Sequence, residues 1–90
     1  MDEIFELENL RNQLIFDAVK FREKGDYFRY VRALSTTRAI NLYLDDSQSL
    51  RICNSLLAYA VEDEIITEEQ REFYQRTGRE KIEFLIEFVL

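Results

Sequence analysis

Residues 2–26, DEIFELENLRNQLIFDAVKFREKGD, set the pattern for the whole chain. At 100° per residue, Leu7, Leu10, Leu14, Ala18 and Phe21 fall within about 80° of arc, the stripe by which a helix packs on a core. Gly25 follows as a residue free to turn left-handed, and Lys24 sits in the last turn, where the helix dipole favours a cation. Asp26 then offers an N-cap to whatever comes next. The spacing predicts a helix over 2–24, a tight reversal and a second helix over 27–44.

The same logic extends to the C-terminus. Gly25 and Gly78 are the only glycines and proline is absent, so long stretches lack breakers and helices are expected throughout. Asp45-Asp46-Ser47 reads as a turn, with Ser47 or Ser49 capping a third helix over 49–63. Thr67-Glu68-Glu69-Gln70 matches the capping box, a hydroxyl followed three residues later by Gln, and opens a fourth helix over 68–90. Apolar residues before and after Gly78 keep one phase. The expectation is therefore a continuous helix with a weak point of about 1 kcal/mol relative to alanine. Four helices joined by short turns predict an all-α, compact four-helix bundle, with residues 1–90 as a single domain.

Composition narrows the function. The chain has 90 residues, 47% of them hydrophobic, with a formal net charge of −6, one cysteine and no histidine. It is too apolar for a disordered tail. One cysteine forms no internal disulfide, which fits a reducing compartment, and the expected location is cytoplasmic. No apolar run reaches the roughly 20 residues of a membrane span, so no membrane association is expected. Without histidine there is no ordinary triad, no imidazole base and no common metal ligand. Cys53 falls inside an apolar arc and reads as a small buried hydrophobe. Glu62-Asp63-Glu64 lacks the glycine and alternating ligands of a calcium loop. Neither enzymatic activity nor a metal or other cofactor is expected.

Two features point to a partner. The third and fourth predicted helices carry apolar arcs of about 200° and 220°, well beyond the 100° or so that one core requires. On the first helix Phe5 and Phe16 share a face opposite the main stripe. Such a surplus marks either a helix sandwiched inside the bundle or an interface between proteins. A homo-oligomer, a two-fold dimer first of all, is expected, with Phe84, Leu85 and Phe88 as its interface. Charge is also segregated. Residues 20–38 hold six bases against two acids, whereas 62–72 hold six acids against one base. Arg29 and Arg32, with Arg38, are the candidates for contact with an anionic partner surface; internal counter-charge to the acidic turn is the alternative.

The second predicted helix breaks its own pattern. Tyr27, Tyr30, Val31 and Leu34 build one face, yet extending it brings Thr37, Arg38 and Asn41. Ser35-Thr36-Thr37-Arg38 is a polar run inside a helix, and such residues compete with the backbone for hydrogen bonds. Either the break serves function, or the helix rotates or kinks so that Phe28, Ala39 and Leu42 take over as core. The profile is that of a small acidic protein-interaction module: a regulator, adaptor or inhibitor of the kind phages and mobile elements encode, acting by binding another protein. The alternative is a nucleic-acid-binding accessory protein using the 20–38 segment, with Tyr27, Phe28 and Tyr30 interleaved among its bases.

Overall fold

The computed structural model describes residues 2–76 and 79–88, the side chains of residues 79–81 and 88 excepted. The chain is an all-α bundle whose elements are α1 (Glu3–Glu23), α2 (Tyr27–Tyr43), α3 (Ser47–Glu62), α4 (Glu68–Arg76) and α5 (Arg79–Phe88). Its radius of gyration of 12.7 Å is close to the roughly 12 Å of a compact domain this long. The last predicted helix, 68–90, is carried by α4 and α5. The expected continuity through Gly78 falls on residues 77–78, outside those described.

The first four helices start where their caps dictate. The Asp2 carboxylate accepts the Ile4 amide at 3.0 Å and the Asp26 carboxylate accepts that of Arg29 at 3.3 Å. Gly25 takes φ +75° in the reversal between α1 and α2, a backbone state that costs glycine little. Thr67 and Gln70 form the expected reciprocal box: the Thr67 amide donates to Gln70 Oε1 at 2.8 Å, and the Gln70 amide donates to Thr67 Oγ1 at 3.1 Å. At α3 the expected serine cap is replaced by Asp46. Its two carboxylate oxygens accept the Ser49 amide at 3.1 Å and the Ser49 hydroxyl at 2.8 Å. The helix consequently begins at Ser47 rather than 49, because a carboxylate takes both donors where a hydroxyl takes one.

The bundle is organised around α2, which packs against α1, α3, α4 and α5. Its buried residues fall into two apolar groups. Tyr30, Val31, Ala33 and Leu34 meet Ala18 and Leu57, while Ala39 and Ile40 meet Leu7 of α1 and Ile82 of α5. The polar run lies between them as a waist. Ser35 donates to the Tyr74 carbonyl in the last turn of α4 at 3.3 Å. Rotation of α2 does not occur: Ala39 is buried, but Phe28 and Leu42 are exposed. The face started by Tyr30 and Leu34 continues inward through Thr37 and Asn41, as the unrotated pattern requires.

Candidate functional site

Helices α1 and α3 both lie against α2 and scarcely touch each other. The space between them is an open groove of about 680 Å³, within the range of about 300–1,000 Å³ typical of ligand sites. Its floor is the α2 stripe Tyr30, Leu34, Thr37 and Asn41, at helical spacing. Ile15 and Val19 form the α1 wall, and Ile52, Leu56 and Tyr59 the α3 wall. Four of these five wall residues are exposed, Leu56 being the exception. The groove is thus apolar at its sides and partly polar along its bottom.

Two polar clamps hold the walls. At one end Arg22 donates to the Tyr30 hydroxyl at 3.1 Å and lies 3.6 Å from Asp63, at the last turn of α3. The Tyr30 hydroxyl, then Asp63, hold the Arg22 guanidinium above its ordinary value. At the other end Arg11 donates to Asn41 Oδ1 at 3.0 Å and to Asp46 Oδ2 at 3.1 Å. Asn41 in turn reaches Cys53 Sγ at 3.5 Å. Hydrogen bonds from Ser49, aided by Arg11, pull the Asp46 carboxyl below its ordinary value. Three helices are fastened by this one network, and it fixes the width of the groove mouth.

Along the floor, Thr37 is 2% exposed and its hydroxyl has no hydrogen-bond partner. A buried hydroxyl left unpaired costs about 1–3 kcal/mol. Cys53, beside Asn41, is also buried, and burial pushes its thiol up, away from the thiolate that nucleophilic chemistry requires. What this arrangement offers is surface: exposed apolar walls over a floor whose hydroxyl and thiol are buried.

The expected anion-binding arginines do not share one surface. Arg29 is exposed but sits 3.6 Å from Asp26 and 5.9 Å from the Phe21 ring centroid. Arg32 is exposed and lies over Phe28 at 5.5 Å. Arg38 turns into the seam between α2 and α3, where its Nε donates to Asn54 Oδ1 at 2.8 Å and its Nη1 is buried without a partner. Burial pulls its guanidinium below the ordinary value. Of the expected dimer residues, Phe84 is 57% exposed and Leu85 packs half-buried against the group around Leu7 and Ile40. The Phe88 side chain lies outside the described residues. Sequence reading missed the groove itself and the part played by Arg11. The signal available was the stripe Tyr30, Leu34, Thr37, Asn41, whose polar end required a covering that is not purely apolar.

Comparison with protein-family models, with curated proteins and with solved structures returns no match, so the function is argued from these residues alone.

Proposed function

We propose that this chain is a protein-interaction module that docks an amphipathic helix of a partner in the groove between α1 and α3. The observation that carries the reading is the geometry around α2. Helices α1, α3, α4 and α5 pack against α2, and between α1 and α3, which scarcely touch, an α2 stripe at helical spacing forms the floor of the groove. Ile15 with Val19, and Ile52 with Leu56 and Tyr59, repeat at intervals of three and four residues, the ridges between which a further helix interlocks. Three turns of such a helix would place its apolar face on these walls. A module of this kind acts by occupying or holding its partner, as a regulator, adaptor or inhibitor does.

The nucleic-acid alternative draws on the 20–38 segment, and the side-chain pairing weighs against it. Arg22, Arg29 and Arg38 are engaged with Asp63, Asp26 and Asn54 respectively. That leaves Lys20, Lys24 and Arg32, a small footprint for binding dominated by phosphate contacts.

The test is a displayed library of amphipathic helical peptides, selected on the full chain and counter-selected on Ile52→Glu. The expected result is a set of binders, retained by the native chain, whose apolar positions repeat at three and four residues. Recovery of the same peptides on both chains would overturn the groove as the docking surface.

A further inference from the structure

Helix α1 has more uncovered apolar surface than any other described element. Ile4, Phe5, Ile15, Phe16 and Val19 are all about half exposed or more, and on the helix wheel they fall within about 120° of arc. With Ile52 and Tyr59 of α3, they make up seven of the twelve exposed large apolar residues described. The face is continuous with the groove, since Ile15 and Val19 belong to both. The helix that carries it is also electrically polar along its length, with Asp2 and Lys20 on one flank of the face and Glu3, Glu6 and Lys24 behind it. Asp2, Glu3, Glu6 and Glu8 occupy the first turns, and Lys20, Arg22 and Lys24 the last. Arg22 is taken by Asp63. Glu3, Glu6, Lys20 and Lys24 have no ion-pair partner within 4 Å among the described residues, and Lys20 lies over the Phe16 ring at 4.3 Å.

We infer that the helix the groove receives is α1 of a second copy of this chain, in a two-fold, antiparallel pairing centred near Asn9–Asn12. This rests on the docking reading above and names its occupant. Antiparallel pairing is the orientation that sets the acidic first turns of one α1 beside the basic last turns of the other. It also carries Ile4 and Phe5 of one copy into the groove of the other, against the partner's Ile15, Val19 and Tyr59. Because α1 supplies both the ridge and one groove wall, the two-fold operation fills both grooves at once and leaves none open. Such a contact is isologous and closes at two copies. It covers the apolar face that a monomer of this size leaves in water.

Sedimentation equilibrium of the full chain tests this, alongside Phe5→Glu, Ile52→Glu and Phe84→Glu. All three positions are exposed, so folding should survive, and circular dichroism melts verify it. The native chain is expected as a dimer. Phe5→Glu and Ile52→Glu should each weaken it at least ten-fold, because each buries a charge in an apolar contact. Phe84→Glu should leave it unchanged. In a Cys53→Ala background, Asn12→Cys should form a disulfide-linked dimer under mild oxidation, as a residue near the axis must. A monomer at high concentration overturns the inference, as does a dimer that only Phe84→Glu dissociates. If the monomeric chain still retains groove-dependent helical peptides, self-pairing fails and the docking reading stands. If neither is seen, both fail.

Discussion

Replacing Thr37 by valine should make the protein more stable. The side chain is buried and its hydroxyl is unpaired, so the native state carries a desolvation penalty of about 1–3 kcal/mol that the unfolded chain, wetted by solvent, does not. Valine has the same branched shape and a similar restriction in a helix. The new methyl group adds apolar burial worth up to about 0.8 kcal/mol. Part of the gain is lost because the groove edge lets solvent approach the floor, which leaves about 1.5 kcal/mol of net stabilisation. For a domain of this length that is a rise in Tm of roughly 6–12 °C. Urea denaturation followed by circular dichroism should show a higher midpoint with an unchanged slope. A variant less stable than the native protein by about 1 kcal/mol would refute the reasoning, since it would mean that the hydroxyl is satisfied.

Three further outcomes follow from the same geometry. Cys53 should react slowly with thiol reagents in the native state and quickly in denaturant. Because burial raises its folded-state pKa, the unfolded chain gives up the thiol proton first, so stability should fall as pH rises above about 9. Asp46→Ala removes the α3 cap and the carboxylate held by Arg11, and a loss of about 1–2 kcal/mol in chemical denaturation is expected. As the Asp46 carboxyl is held below its ordinary value, its contribution is complete above that value and fades as pH falls through the acid range, so Asp46→Ala should flatten that limb. Reversing Arg29 and Arg32 together to glutamate disturbs only exposed contacts and should change stability by under about 1 kcal/mol in a thermal melt.

The legible part of this fold was local. Stripe periodicity and capping chemistry act within a few residues, so the Leu7–Phe21 stripe, the Gly25 reversal and the Thr67–Gln70 box stand as the residues alone imply. The Asp46 cap escaped because a turn reading of Asp45-Asp46-Ser47 does not say which side chain faces the first free amides. The place of α2 was not legible for a different reason. A helix wheel shows which face is apolar but not how many neighbours surround it, and a central helix buries small polar residues such as Ser35, Thr37 and Asn41 alongside hydrophobes. The two ends of the basic segment also diverge through tertiary contacts. Arg32 stays on the surface while Arg38, six residues on, meets Asn54 of another helix. The groove exists only because α1 and α3 stand apart, a relation between elements distant in sequence that no local pattern carries.

Methyl-resolved spectra of the full chain, recorded from millimolar to micromolar concentration, test most directly whether the α1–α3 face is where α1 of a second copy packs. The account predicts that the methyl signals of Ile15, Val19 and Ile52 move together with dilution. Those of Ile40 and Leu57, buried away from the groove, should stay in place. Spectra that are independent of concentration, or changes confined to Leu85 and Ile86 of α5, would contradict it.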